Sequence, residues 1–102
     1  MKIAVTYHDG DIFQHFGHTE FFKIYDIENT DIVKTEIVST NGSGHGALAQ
    51  FLHEHSVDTL ICGGIGGGAQ MALSQAGIKL YGGVTGKADD AVNALLNNKT
   101  EL

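Results

Sequence analysis

The sequence predicts an α/β domain in which helices cover the faces of a mixed, five-stranded sheet. Short apolar segments alternate with segments of helical periodicity in the order β-β-β-α-β-α-β-α. A tight polar turn at 28–31 joins the second and third strands as a hairpin. The 102 residues are enough for one hydrophobic core but not for two, so residues 1–102 are predicted to form a single domain.

Three predicted strands come before the first helix. Lys2–Tyr7 is short and apolar, which indicates a central strand, and Phe21–Ile27 is rich in aromatic and β-branched residues. Ile32–Val38 alternates, which predicts a half-exposed edge strand that is antiparallel to the second strand. Its two faces carry Val33, Thr35 and Ile37 on one side, and Lys34 and Glu36 on the other.

The rest of the chain alternates helices with strands. A flexible turn over 41–46 leads into a helix, and further helices are predicted over 69–76 and from Thr85 onward. Val57–Cys62 and Ile78–Tyr81 are the strands between them. The predicted inward-facing stripes are Leu48, Phe51, Leu52 and His55; Ala69, Ala72, Leu73 and Ala76; and Ala88, Ala91, Val92 and Leu95.

This order of strands predicts where a ligand binds. If only the second strand runs antiparallel to its neighbours, the carboxyl ends of the other four strands share one edge of the sheet. The loops that leave this edge are 8–18, 41–45, 62–68 and 81–86. Ligands of open α/β sheets bind at such an edge.

A glycine-rich loop follows the fourth strand and consists of Gly63, Gly64, Ile65, Gly66, Gly67 and Gly68. Glycine permits positive φ and leaves backbone N–H groups uncovered, and the next helix points its positive end into the loop, so we expect a bound anion. A dinucleotide fingerprint is rejected because the motif follows the fourth strand and the chain is too short; a Walker loop is rejected because no Gly-Lys-Ser/Thr follows. The alternative is that these glycines only permit close packing.

Four side chains at this edge are candidate metal ligands: His15, His18, His45 and Cys62. One thiolate with several imidazoles suits a soft or borderline transition metal. The set lacks the cysteines of a structural zinc site and those that usually hold an iron–sulfur cluster. A cluster would therefore have to arrive preassembled and be held partly by histidine and backbone. The alternative for Cys62 is a buried, inert thiol.

Composition excludes several functions. A net charge of −6 with only six Lys plus Arg argues against nucleic-acid binding, and no apolar run approaches the roughly 20 residues of a membrane span. The chain opens directly on a strand and has one cysteine, so we expect a cytoplasmic protein without a signal peptide. No catalytic triad or carboxylate pair is recognisable from spacing, so we expect no enzymatic activity.

Three segments resemble the dinitrogenase iron–molybdenum cofactor biosynthesis family. The segments are 1–5 with 14–26, which contains His-Phe-Gly-His; 58–66, which contains Cys-Gly-Gly-Ile-Gly; and 77–81. The resemblance implies a fold similar to ribonuclease H. It also implies a small carrier that receives an iron–molybdenum or related iron/molybdenum–sulfur cluster from a donor protein and passes it to an acceptor, as a monomer or weak homodimer. The alternative is a small-molecule or nucleotide sensor that uses the glycine loop as a phosphate site.

Overall fold

The structure is a computed structural model that describes residues 1–42 and 45–98. Within these described residues, six strands, one short 3-10 helix and three α-helices follow one another. The strands are β1 (Lys2–His8), β2 (Asp11–Ile12), β3 (Phe21–Glu28), β4 (Asp31–Ser39), β5 (Thr59–Ile61) and β6 (Lys79–Tyr81). The helices are the 3-10 helix Phe16–His18, α1 (His45–Glu54), α2 (Gly67–Gln75) and α3 (Ala88–Asn98).

The sheet is mixed, and its main path runs in the order β4-β3-β1-β5-β6. Strand β3 is antiparallel to both β1 and β4, whereas β1, β5 and β6 are mutually parallel. The predicted topology is therefore confirmed, including the hairpin between the second and third predicted strands. Consequently β1, β4, β5 and β6 end at the same edge of the sheet.

A sixth strand was not predicted. Residues Asp11–Ile12 were expected to lie in a loop, but they pair with the end of β1 as the second arm of a hairpin. The turn is Asp9-Gly10, with φ values of 47° and 91°. Two consecutive residues with positive φ match the twist of a two-residue hairpin, and Asp-Gly is a typical sequence for it. The prediction of a loop was wrong for Asp11–Ile12 because Asp9-Gly10 reverses the strand onto itself.

Strand β4 is an edge strand, as predicted, but it is more exposed than expected. Val33 and Ile37 are 53% and 54% exposed, and only Ile32 and Val38 are partly covered. The register of β4 against β3 shifts between Asp26 and Ile27. Alternation along a strand assigns the two faces, but burial also requires a helix above each face, and the helices pack closer to the centre of the sheet.

Two apolar clusters lie on opposite faces of the sheet. Leu48 and Leu52 of α1 and Leu73 of α2 share one cluster with the sheet residues Ala4 and Phe22. The other cluster joins α3 to the opposite face and includes Val92, Ile3, Val5 and Ile61. In α3 the buried leucine is Leu96, and Leu95 is only partly covered. No helix within 1–42 and 45–98 is long and apolar enough to cross a membrane.

Candidate functional site

Three loops meet at the carboxyl edge of β1, β5 and β6, as predicted. The loop after β1 lies against the glycine loop, since Phe16 N–H donates to Gly64 O at 3.0 Å and Gly64 N–H donates to Gln14 O at 2.8 Å. The loop after β6 joins them, because Gly83 N–H donates to Gly63 O at 2.9 Å. The fourth predicted loop, 41–45, includes residues 43 and 44, which lie outside the described residues.

Gln14 ties the three loops together, and sequence reasoning gave it no role. Its side-chain amide donates to the carbonyls of Ile12 and Val84, each at 3.0 Å, so one side chain bridges the first and third loops. Its backbone carbonyl accepts the bond from Gly64. In the sequence, only the pair Gly63-Gly64 indicated that another segment packs closely against this loop. It did not show which residue that would be.

The glycines of the predicted loop have two different functions in the structure. A Cβ on Gly63 would lie 2.5–2.6 Å from atoms of Gln14, and one on Gly64 would lie 2.9 Å from Gln14 O, so both positions require glycine for packing. Gly66, Gly67 and Gly68 face open space. None of the five has positive φ, so the left-handed conformation that glycine permits is not used at these positions. Gly67 and Gly68 already belong to α2.

Among the described residues, no side chain caps the N–H groups at the start of α2. Gly66 is the N-cap residue and makes no side-chain capping bond, and the first bond to its carbonyl comes from Gln70 N–H at 3.0 Å. The N–H groups of the first helical turn have no acceptor inside the helix, and the helix dipole adds partial positive charge there. The sequence from Thr59 to Ala88 contains no Asp or Glu, although the chain has twelve acidic residues. We call Gly66, Gly67, Gly68 and the first turn of α2 the anion-favouring surface, because its N–H groups and the lack of nearby acidic residues in sequence both favour an anion.

Two predicted ligands, His15 and His18, are exposed beside this surface. The backbone of His15 forms a parallel bridge with Gly64, which places it directly against the glycine loop. His18 closes the 3-10 turn that follows, and its N–H donates to His15 O at 2.9 Å. Both side chains are solvent-exposed and free to contact a ligand. His45 is the first residue of α1, and its side chain lies outside the described part of the structure.

Cys62 does not lie on the open surface, which corrects its predicted position. The residue is 0% exposed and belongs to the apolar cluster under α1 and α2. Burial raises the pKa of the Cys62 thiol to about 11, so the thiol stays protonated at neutral pH. Metal attachment requires the thiolate, so the structure agrees with the alternative of a buried, inert cysteine.

Within the described residues, no three His, Cys, Asp or Glu side chains are arranged to hold a metal ion. A pocket opens at the ends of β1 and β4, and none of the predicted ligands lines it. Its lining residues are Tyr7, His8, Asp9, Glu20, Phe21 and Ile37. Gly66, Gly67 and Gly68 face open space, so the start of α2 offers backbone N–H groups beside exposed imidazoles rather than an enclosed ion site.

Comparisons with known proteins agree with this fold. An uncharacterised protein of Methanocaldococcus jannaschii is 31% identical over 99% of this chain and 90% of its own length. The crystal structure of PH0822 superimposes with a TM-score of 0.91 at 29% identity, covering 96% of this chain and 90% of that one. The apo form of the orange protein from Desulfovibrio gigas superimposes with a TM-score of 0.82 at 28% identity, covering 96% and 88%.

The sequence profile of a family described as dinitrogenase iron-molybdenum cofactor matches residues 1–98. The match includes both the His-Phe-Gly-His turn and the glycine loop, which meet in the structure through the bridge between His15 and Gly64. This chain therefore belongs to the dinitrogenase iron–molybdenum cofactor family.

Proposed function

We propose that this protein is a non-enzymatic carrier of a preassembled metal–sulfur cluster of the iron–molybdenum type. One observation carries the proposal: an uncapped helix N-terminus lined by bare glycines lies next to exposed imidazoles. Gly66–Gly68 supply the open backbone, and His15 is held against the same loop by its bridge to Gly64. The cluster is cargo, received from a donor protein and delivered to an acceptor.

The two kinds of group have different tasks in this proposal. Cluster sulfides carry negative charge and accept hydrogen bonds from the N–H groups at the start of α2. Imidazole is a suitable ligand for iron, so His15 and His18 attach to the metal, with His45 as a third candidate. Because most of the metal's ligands are the cluster's own sulfides, the protein does not need the complete ligand set of a metal-ion site.

The buried thiol takes no part in attachment. To bind a metal, Cys62 would have to leave the apolar cluster and lose its proton. Burial has raised the pKa of this thiol to about 11. Both changes oppose metal binding at neutral pH. The exposed histidines require neither, so we assign attachment to imidazole and packing to Cys62.

An open surface suits a carrier better than a catalyst. The glycines at 64 and 66–68 are exposed, and so are His15 and His18, so a partner protein can reach the cargo without a large movement of this chain. The orange protein, whose fold this chain shares, is described as an apo form, which supports a removable bound group in that relative. Family membership supports the iron–molybdenum assignment.

A test of the proposal uses anaerobic reconstitution with a chemically prepared iron–molybdenum–sulfur cluster, followed by visible absorption and elemental analysis. The alanine series covers His15, His18, His45 and Cys62. We expect weaker cluster binding in the histidine variants and normal binding in Cys62→Ala. His53→Ala is the matched control, because His53 is also exposed but lies at the far end of α1. Equal binding by all variants, or loss in Cys62→Ala alone, would contradict the proposed attachment.

The backbone contribution is tested at Gly66. This residue has φ −80° and open space around its Cα, so Gly66→Val should fold normally while its side chain obstructs the N–H groups. Gly64→Val is a poor probe because its side chain would collide with Gln14 O. The alternative function is a sensor that binds phosphate at the same N–H groups. A rise in melting temperature with inorganic phosphate, but no uptake of cluster, would favour that alternative and overturn the carrier.

A further inference from the structure

Strand β4 is nine residues long and lies at one edge of the sheet. Thr40 N–H donates to Glu20 O at 2.9 Å, which identifies the pair 20/40 as directly hydrogen-bonded. In an antiparallel pair such pairs alternate, so in the same register Glu36 and Lys34 also bond toward β3. Ile37 and Thr35 then direct their N–H and C=O groups outward. Among the described residues, no strand pairs with this side of β4.

We propose that β4 pairs with β4 of a second copy of this chain, antiparallel and centred on Thr35. The strand is complementary to itself about that residue. A two-fold axis at Thr35 places Lys34 opposite the partner's Glu36, and this charge pair occurs twice. Val33, which is left unpaired where the register of β4 against β3 shifts, then lies near the partner's Ile37. One face of the paired strands then carries the charged side chains, and the other face carries the apolar ones. This inference is independent of the proposed cluster site.

Charge selects this register over its neighbours. Moving the two-fold axis by one residue in either direction keeps the outward groups facing one another, so the backbone alone permits both neighbouring registers as well. Centred one residue earlier, Lys34 lies opposite the partner's Lys34; centred one residue later, Glu36 lies opposite the partner's Glu36. Like charges directly opposite each other are destabilising, whereas opposite charges are favourable. Of these three registers, only the one centred on Thr35 pairs both charges correctly.

Apolar exposure favours the same partner. Val33 and Ile37 are 53% and 54% exposed, and Phe21, on the adjacent end of β3, is 41% exposed. Pairing would cover Ile37 with the partner's Val33 and continue the apolar surface from one copy to the next. A long uncovered edge is normally blunted or paired, and here the central residues discriminate against wrong registers. The contact is smaller than the about 1,600 Å² of a stable interface, so the dimer should be reversible.

Sedimentation velocity over a concentration series measures the dimer, with circular dichroism to verify folding. Lys34→Glu places a carboxylate opposite the partner's Glu36, and Glu36→Lys places an ammonium group opposite the partner's Lys34. Each variant alone should raise the dimer Kd roughly tenfold or more, since two favourable pairs become repulsive. An equimolar mixture of the two variants restores opposite charges at both positions and should dimerise about as well as the parent.

The charge-matched control is Lys79→Glu, which makes the same change of net charge as Lys34→Glu but on β6, at the other edge of the sheet. It should leave the dimer Kd unchanged within about twofold. Glu36→Lys makes the net charge of each chain less negative. If overall repulsion between the chains controlled association, this variant would dimerise more strongly, which is opposite to our expectation. A parent that stays monomeric up to about 1 mM, single variants that dimerise like the parent, or a mixture that is not restored would each overturn the inference.

Discussion

The substitution Gly63→Ala should damage the junction of the three loops. A Cβ on Gly63 would lie 2.5 Å from Oε1, 2.6 Å from Cα and 2.6 Å from Cδ of Gln14. The side-chain atoms of Gln14 can rotate away, but only by breaking the hydrogen bonds that its amide donates to the carbonyls of Ile12 and Val84. The Cα cannot move without displacing the segment that bridges Gly64. Neither adjustment avoids a loss of stability.

The size of the loss follows from these contacts. Overpacking in a well-packed region costs typically about 1–3 kcal/mol. Each lost hydrogen bond of Gln14 adds about 1 kcal/mol. We therefore expect Gly63→Ala to lower the free energy of unfolding by about 3 kcal/mol and Tm by about 12 °C, at about 4 °C per kcal/mol for a chain of this size.

Urea unfolding followed by circular dichroism measures the loss, with Gly67→Ala as the matched control. Gly67 is four residues away, faces open space and lies in the first turn of α2, so alanine there should be neutral or stabilise by up to about 1 kcal/mol. If Gly63→Ala unfolds at the parent's urea midpoint, or if Gly67→Ala is equally destabilised, the packing explanation for Gly63-Gly64 is wrong.

Three further predictions test the core, an ion pair and the loop junction. Cys62 should not react with a thiol reagent until urea unfolds the protein, because the thiol is buried and its pKa is raised; reaction in the native state would refute its burial. Hydrogen bonds from Lys23 and Tyr25 hold the pKa of Asp89 below its usual value. Ionised Asp89 therefore stabilises the fold at pH values above its unfolded pKa, and this stabilisation is lost as pH falls through its folded pKa. Urea midpoints between pH 7 and pH 3 should therefore fall less steeply for Asp89→Asn than for the parent, and parallel curves would contradict this. Gln14→Ala should increase amide hydrogen exchange at Gly64 N–H by about thirtyfold while leaving exchange in β1 unchanged, since the two lost hydrogen bonds contribute about 1 kcal/mol each. Equal exchange would mean that the backbone alone holds the loops together.

Local patterns were enough to predict most of the fold. The hairpin, the parallel strands and the shared edge follow from the order of elements and from the short turn at 28–31, because chain connectivity restricts the possible topologies. The edge position of β4 and the buried stripes of α1 and α2 follow from periodicity. Strand β2 was missed because Asp9-Gly10 both interrupts one strand and begins the next, and a local pattern does not separate these two effects.

The candidate site was predictable only as a place on the sheet. That the His-Phe-Gly-His turn and the glycine loop leave the same edge depends on strand direction, which the order of elements already contains. Which glycines touch Gln14, which face solvent, and that Cys62 is buried instead of open became visible only in the folded chain. The packing of the glycines depends on contacts between Gln14 and residues about fifty positions later in the chain. The burial of Cys62 depends on how its side chain is oriented relative to α1 and α2. No local pattern contains that distance information, so it appears only when the three loops are assembled.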